Sequence, residues 1–204
     1  MPIMQPKIEL LWPARPDSQL RAGTHRVLHD VAESGAAIGY LSPPTTADTD
    51  AWLEEILIAV RAGDAALVLA VVDHRLQATG LWRRRPEIVY AHSADIEKVM
   101  AHPSARGLGL GRLIVTALID NARDAQLETL ALSVRGNNLG AIELYEQLGF
   151  REWGRQPNVI EVGNERYDDV RMALDLGHAP NVILRGSQPG GSGSSPRRKH
   201  TLKP

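Results

Sequence analysis

The chain has 204 residues, 43% of them hydrophobic, which is enough for one domain with its own core. Its 23 basic and 24 acidic side chains nearly cancel, so we expect no nucleic-acid or membrane partner. The absence of cysteine excludes disulfides, thiolate metal sites and cysteine nucleophiles. The longest apolar run spans residues 65–72, whereas a membrane-spanning helix needs about 20 residues. Because the N-terminus also lacks the pattern of a secretory signal, we expect a cytoplasmic protein.

Composition divides the chain into a domain over residues 6–176 and a tail over residues 177–204. The tail contains no acidic residue, and residues 186–196 consist of Gly, Ser, Pro and Gln, which cannot form a core. Basic residues follow at 197–199 and 203. The tail is therefore predicted to be flexible. Its positive charge is consistent with a basic arm for an acidic partner or with a simple solvated terminus.

Hydrophobic periodicity predicts the order β-α-α-β-β-β-α-β-α-β-β, and the individual segments add one further short strand near the C-terminal end. The first strand covers residues 8–12 and the first helix residues 17–34. A second helix, capped by Thr49 or Asp50, ends at Gly63. Further strands are predicted over 65–72, 76–82, 94–102, 127–134, 150–154, 159–162 and 167–174, with helices over 109–123 and 138–148. Since helices separate only some of the strands, the pattern predicts an α/β (α+β) fold with a mixed sheet.

Three glycines at 107, 109 and 111 lie between a predicted strand and a predicted helix. Glycine allows tight turns and a close approach to backbone N–H groups, and a helix N-terminus attracts anions, so the segment suits a phosphate. Neither the P-loop pattern nor the dinucleotide pattern fits, because no lysine occurs between 99 and 198 and the glycines are evenly spaced. An ordinary glycine-rich turn without a ligand remains the alternative.

Two motifs together resemble the GCN5-related N-acetyltransferase (GNAT) family. The first is R-x-x-G-x-G at residues 106–111, after a strand that ends in His102-Pro103. The second is N-x-x-A followed by L-Y-x-x-L-G-F, over residues 138–150. The resemblance implies a mixed, mostly antiparallel sheet with two splayed parallel central strands and flanking helices. Residues 35–41, 51–52 and 97–111 also resemble the tabtoxin-resistance acetyltransferase, a small-molecule member.

The family resemblance implies that acetyl-CoA lies between the strands 94–102 and 127–134. The main chain of Val99, Met100 and Ala101 is expected to bind the pantetheine arm. The pyrophosphate is expected to accept hydrogen bonds from main-chain N–H groups of Gly107, Leu108, Gly109, Leu110, Gly111 and Arg112. The side chains of Arg106 and Arg112 either add charge-assisted bonds or are solvated. Asn138 either contacts the cofactor or caps the following helix.

Glu97 is the candidate general base. It precedes Val99 by two residues, which predicts that the two side chains share a face of the strand, and the family often carries a glutamate there. A carboxylate is a weak base, so it would act through water or after burial raises its pKa. A structural or acceptor-binding carboxylate is the alternative. His92, Asp95 and His102 are nearby rivals.

Tyr145 is the candidate acid for the departing thiolate, since a phenol keeps its proton at neutral pH. Alternatively, Tyr145 belongs to an apolar helix face with Ala141, Ile142 and Leu148. The oxyanion would be stabilised by a backbone N–H, that of Met100 being the best placed. No cluster of His, Asp or Glu has metal-ligand spacing, so no metal is expected.

The predicted function is acetyl transfer from acetyl-CoA to a primary amine of a small molecule, such as a toxin or an antibiotic. The alternatives are a protein or peptide N-acetyltransferase and a non-catalytic acyl-CoA-binding module. Acceptor recognition is expected from the two N-terminal helices, residues 35–48, the loop 83–93 and the hairpin 155–168. The sequence is compatible with a monomer or a homodimer.

Overall fold

The structure is a computed structural model that describes residues 6–35 and 42–177. The predicted tail beyond Gly177 and residues 36–41 of the tabtoxin-resistance resemblance lie outside the described residues. The predicted element order is confirmed. The elements are β1 (Ile8–Leu11), α1 (Ser18–Glu33), α2 (Thr46–Ala62), β2 (Ala65–Val72), β3 (Arg75–Arg84), β4 (Ser93–Ala101), α3 (Leu110–Asp124), β5 (Thr129–Arg135), α4 (Leu139–Gln147), β6 (Arg151–Val162) and β7 (Glu165–Asp175).

Seven strands form one sheet in the order β1-β2-β3-β4-β5-β7-β6. Every neighbouring pair is antiparallel except β4 and β5, which run parallel, as the family resemblance implies. Within the described chain, β4 and β5 pair only from Ser93↔Thr129 to Asp95↔Ala131, although both strands continue further. The two central strands therefore diverge. None of the helices in the described ranges is both long enough and apolar enough to span a membrane.

Helices cover both faces of the sheet. On one face, α3 packs through Ile114 and Leu118, and α4 contributes Tyr145 to the same core. On the other face, α2 packs through Leu53, Ile56 and Leu57 against apolar residues of β2 and β3, and α1 packs against Met100 of β4. A sheet covered on both sides has buried central strands, which explains the continuous apolar run of β2. We call these surfaces the α3/α4 face and the α1/α2 face.

Two local predictions were wrong. Helix α2 begins earlier than expected: Thr45 is its N-cap, and the Thr45 and Asp48 side chains each bond the other's backbone N–H in a capping box. Thr49 is instead buried and donates its hydroxyl to Thr45 O at 3.1 Å. The two short strands predicted over 150–154 and 159–162 form the single strand β6, with an irregularity near Asn158, whose φ is 55°.

A β-bulge interrupts the centre of the sheet. Thr79 pairs with Met100 and Leu81 pairs with Glu97, so the single residue Gly80 faces both Lys98 and Val99. Lys98 adopts a left-handed φ of 52°. The extra residue reverses the alternation of side chains along β4.

The bulge places Glu97 and Val99 on opposite faces. Val99 packs on the α3/α4 face, while Met100 packs against α1. Glu97 lies opposite Leu81, whose side chain belongs to the α1/α2 face. The prediction that Glu97 shares a face with Val99 is therefore wrong, because a regular period of two does not hold across a bulge.

Gly80 lets α3 approach the bulge closely. A Cβ at this position would overlap Ile114 Cγ2 and crowd Leu118 Cδ1 at 3.2 Å. The side chains of Ile114 and Leu118 are fully buried, so they have little room to move. The close contact between helix and sheet therefore requires glycine.

We predict that Gly80→Ala lowers the free energy of unfolding by about 1–3 kcal/mol, because overpacking a closed core forces side chains from their preferred positions. Urea unfolding followed by circular dichroism measures the change. Gly140→Ala is the matched control, since a Cβ there has no neighbour within 4 Å among the described atoms. The control should be neutral or more stable by about 0.5–1 kcal/mol, because Gly140 lies in a helix. Equal stability of Gly80→Ala and the wild type would contradict the argument.

Candidate active site

A cleft of about 720 Å³ opens where β4 and β5 diverge. Its lining includes Tyr145 of α4 from one face of the sheet and Ala32 of α1 from the other. The cleft therefore extends through the sheet, between the two parted strands. The full lining is Ala32, Gly35, Arg85, residues 95–99, residues 131–135, Asn138, Ala141, Tyr145, Trp153, residues 160–162 and Arg171.

Glu97 lines this cleft from the α1/α2 side. It remains accessible to water, but the surrounding protein removes part of its hydration, and this desolvation raises the pKa of its carboxyl. The nearby positive charge of Arg83 partly offsets that effect, while Asp95 adds to it. A carboxylate with a raised pKa and access to water is a better proton acceptor than an ordinary surface glutamate.

The rivals of Glu97 are engaged elsewhere. Asp95 lines the cleft but forms a bidentate ion pair with Arg85, in which Nε donates to Oδ2 and Nη2 donates to Oδ1, both at 2.9 Å. His92 is not among the described residues that line the cleft, and its carbonyl accepts from the backbone of Glu128 at 2.8 Å. Of the three carboxylates in the cleft lining, Asp95 and Glu161 pair with arginines, whereas Glu97 lies at the bulge.

Tyr145 lines the cleft from the α3/α4 side. Its ring is buried and packs edge-to-face against Phe150, with ring centroids 5.6 Å apart. Burial raises the pKa of the phenol to about 12, so the hydroxyl keeps its proton at neutral pH. The ring thus belongs to the core, as the second sequence interpretation expects, and the residue also borders the cleft.

The glycine segment forms the start of α3. Gly107 and Gly109 have φ values of 83° and 70°, which explains why glycine occupies both positions. Helix α3 begins at Leu110, and the N–H groups of its first turn have no acceptor within the helix. The segment thus presents main-chain donors at a helix N-terminus, as an anion site requires.

Several predicted cofactor residues do not border the cleft itself. Of the described residues that line it, none belongs to the segment 106–112, nor to Met100 or Ala101. Arg106 is exposed, whereas Arg112 contacts the side chain of Gln147 on α4. The structure thus gives the Arg112 side chain a role in joining α3 to α4.

Asn138 borders the cleft at the start of α4. It occupies the N-cap position, but its side chain makes no capping hydrogen bond within the described structure. Of the two predicted roles, side-chain capping is therefore not observed. The amide is placed where it can meet a ligand in the cleft.

His102 has a structural position. Its Nδ1 accepts from the Ser104 N–H at 3.1 Å, which leaves Nε2 to donate to Asp30 Oδ2 at 2.9 Å. The residue thus connects α1 to the turn before the glycine segment. Asp30 also lies with His29 and Glu33, their ligand atoms being within 4.8 Å of one another, a grouping that the sequence analysis did not predict.

Sequence reasoning missed much of the cleft lining. Residues 83–85 lie at the start of the predicted loop 83–93, and there Arg83 pairs with Glu55 at 2.7 Å and Arg85 pairs with Asp95. Trp82, directly before this loop, is buried and donates to Asn121 Oδ1 at 2.9 Å. Further unpredicted lining residues are Lys98, Ser133, Trp153 and Arg171. For Lys98 a signal existed, because it is the only lysine between residues 8 and 198.

Residues 36–150 match the family model described as the acetyltransferase (GNAT) family. The chain belongs to this family. The match spans both motifs on which the sequence resemblance rested, and it confirms that resemblance. The two diverging parallel strands are accordingly the family's central pair in this chain.

Curated relatives have different acceptors. The [ribosomal protein bS18]-alanine N-acetyltransferase of Escherichia coli K12 is 35% identical over 88 residues, which are 43% of this chain and 60% of the relative. The L-amino acid N-acyltransferase MnaT of the same organism is 31% identical over 87 residues, 43% of this chain and 50% of the relative. The chain thus spans about 60% or less of the length of these two relatives.

Solved structures have the same fold. An N-acetyltransferase from Staphylococcus aureus Mu50 superposes with a TM-score of 0.74 at 19% identity, covering 84% of this chain and 99% of its own. The structure of yncA from Salmonella typhimurium with its cofactor acetyl-CoA has a TM-score of 0.72 at 21% identity. The superposition covers 85% of this chain and 96% of the yncA chain. At these identities the likeness concerns the fold, and it confirms the predicted mixed sheet.

We predict that Asp30→Asn destabilises the protein by about 1 kcal/mol at neutral pH, because the charged acceptor for His102 is lost. Hydrogen bonds from His102 and His29 hold the pKa of Asp30 below its usual 3.8. The stabilisation is therefore present above that pH and disappears as the pH falls through the lowered pKa. Unfolding measured from pH 7 down to pH 3 should show the difference between variant and wild type shrinking.

The matched control is Asp120→Asn, whose partner Arg123 lies on the same helix and whose side chain is 66% exposed. This change should cost less than about 0.5 kcal/mol at every pH. A pH-independent effect of Asp30→Asn would show that the carboxylate charge is not what matters.

Proposed function

We propose that the protein transfers an acetyl group from acetyl-CoA to a primary amine. The observation that carries the proposal is the cleft through the sheet, which has a carboxylate on one face and a buried phenol on the other. Glu97 faces the α1/α2 side and Tyr145 the α3/α4 side. An amine that enters from the first side would meet a base, while a leaving group on the second side would meet an acid.

The described residues fit acetyl-CoA, which supplies the acetyl group as a reactive thioester. Beyond Asp95, β4 pairs with β3 but not with β5 in the described chain, so its second edge has main-chain groups available for an extended arm. The expected contacts are at Val99, Met100 and Ala101. The first turn of α3, with Gly107 and Gly109 before it, offers N–H donors for a pyrophosphate.

Glu97 would remove the proton that an ammonium group carries, directly or through water, because only the neutral amine has a lone pair to donate. Its access to solvent allows the proton to leave. The main-chain N–H of Met100, immediately after the bulge, would stabilise negative charge on the carbonyl oxygen. Tyr145 would give its proton to the departing sulfur, since its pKa of about 12 keeps it protonated until then.

We propose a small molecule as the acceptor. The charged side chains of the cleft lining are four basic and three acidic residues, and Arg85 is neutralised by Asp95. Such a mixed lining suits a compact acceptor that carries both an amine and polar groups, as the amino acid acceptors of MnaT do. A protein N-terminus is the second candidate, favoured by the 35% identity to the bS18-alanine N-acetyltransferase.

We predict that Glu97→Gln and Tyr145→Phe each slow acetyl transfer about 10²-fold or more, the usual loss when an acid or base is removed. Free thiol released from acetyl-CoA, in the presence of an amine, measures the rate. Glu146→Gln is the control, because Glu146 lies on α4 outside the cleft lining and should leave the rate within a few-fold. Unchanged turnover in both cleft variants would overturn the assigned roles.

The acceptor panel should contain amino acids, polyamines, aminoglycosides and short peptides. Release with amino acids and not with peptides would support the small-molecule acceptor, and the reverse result would favour a protein N-terminus. Tight binding of acetyl-CoA without release on any amine would identify a non-catalytic binding module instead.

The pH profile gives a further prediction. Because desolvation raises the pKa of Glu97, the rate should rise with pH through a midpoint above 4.5, and Glu97→Gln should lose this step. Since the pKa of Tyr145 is about 12, deprotonation of the acid should cause no decline below about pH 11. The dependence of kcat on pH, measured at a saturating acceptor concentration, tests both the rise and the absence of a decline. A decline near pH 8 that Tyr145→Phe abolishes would contradict the assignment.

A further inference from the structure

Lysine is scarce in this chain. Of its 23 basic residues, 19 are arginine, and the four lysines are Lys7, Lys98, Lys199 and Lys203. Arginine carries nearly all the positive charge at solvated and ion-paired positions. The one lysine in the centre of the fold lies in the cleft. Unlike a guanidinium, an ammonium group can lose its proton at accessible pH and then act as a nucleophile.

The bulge holds Lys98 in an unusual position. Its φ of 52° is left-handed, a conformation that non-glycine residues rarely adopt and that costs about 1 kcal/mol or more. Gly80 on β3 faces it, and Glu97 and Val99 flank it where β4 separates from β5. The strained residue thus borders the gap between the two central strands, where the proposed function puts the thioester.

The surroundings of Lys98 make its ammonium easier to deprotonate than that of an exposed lysine. The residue is partly buried, and loss of hydration lowers the pKa of its ammonium, against the opposing charge of Glu97. Lys7 provides the contrast: it is exposed, directly before β1, and its contact with Glu9 raises its pKa. The chain therefore contains one lysine suited to nucleophilic attack and one that is not.

We propose that Lys98 is a self-acetylation site: in the absence of an amine acceptor, its Nζ takes the acetyl group of acetyl-CoA bound in the cleft. This inference rests on the proposed function, because it needs the thioester to lie beside the bulge. Holding a nucleophile and an acyl donor in one cleft raises their effective concentration far above that in solution.

The step balances without any further reactant. The lone pair of the neutral Nζ attacks the thioester carbonyl, a C–N bond forms and the C–S bond breaks. Coenzyme A leaves as a thiol with the proton that the nitrogen loses, and Glu97 is adjacent in sequence to relay it. The product is an acetyl-lysine amide and free coenzyme A.

Acetylation would change the cleft. It removes a positive charge next to Glu97 and leaves a neutral acetamide on the cleft lining. The acetamide would occupy space beside the bulge, where the acceptor amine has to reach the thioester. The modified protein should therefore turn over acceptors more slowly, so that self-acetylation limits the activity when acceptor is scarce.

The test is mass spectrometry of the purified protein incubated with acetyl-CoA and no amine. Peptide mapping should locate one added acetyl group on Lys98, formed at least about 10-fold faster than on Lys7, Lys199 or Lys203. Excess free coenzyme A should slow labelling of Lys98 by acetyl-CoA. Labelling by acetyl phosphate, a small donor without the coenzyme A moiety, should show no such preference for Lys98.

Lys98→Arg keeps the positive charge and should abolish the added acetyl group. Amine turnover by this variant should remain within about 10-fold of the wild type, because the proposed proton transfers do not involve Lys98. Urea unfolding of this variant verifies that the fold is retained. Pre-acetylated wild type should lose turnover, whereas Lys98→Arg treated in the same way should not.

Labelling of Lys98 no faster than of Lys7, or labelling that free coenzyme A does not slow, would overturn the inference. Amine turnover and acetyl-CoA binding are measured on the same preparation. If amines are acetylated and Lys98 is not, the self-acetylation is wrong and the proposed function stands. If acetyl-CoA neither binds nor reacts, both are wrong.

Discussion

The structure depends on one parallel pair of strands in an otherwise antiparallel sheet. β4 and β5 pair over three residues each and then separate, so that beyond this point the two central strands are not paired with each other in the described chain. Unpaired groups in the middle of a sheet are costly unless water or a ligand satisfies them. The separation is therefore typical of a binding site, and helices on both faces keep the strands in place around it.

The bulge on β4 is the second element of this arrangement. By setting Gly80 against two residues, it directs Glu97 and Val99 to opposite faces and places Lys98 between them. Its cost lies in the left-handed backbone at Lys98 and in the requirement for glycine opposite Ile114. The acid and the base candidates approach the same cleft from different sides of the sheet.

The rest of the cleft comes from parts of the chain that are far apart in sequence. Arg85 directly follows β3, Trp153 lies on β6 and Arg171 on β7, and the two arginines pair with Asp95 and Asp169. These residues line the cleft together with Asn138 and Tyr145. One family can thus keep a common cofactor site while acceptors as different as a ribosomal protein and an amino acid are named for its members.

The sequence alone determined the family, the element order and the nature of the sheet, because glycine spacing, helix periodicity and the L-Y-x-x-L-G-F motif are local patterns. It also identified Glu97, Tyr145 and Asn138, which the structure brings to one cleft. It did not reveal the bulge, since a single extra residue leaves no mark on a period of two when its neighbours are ordinary strand residues. Only the tertiary structure decided which face Glu97 occupies, that His102 bonds Asp30, and that Lys98 borders the cleft. Each of these depends on contacts between distant segments, which sequence spacing does not encode.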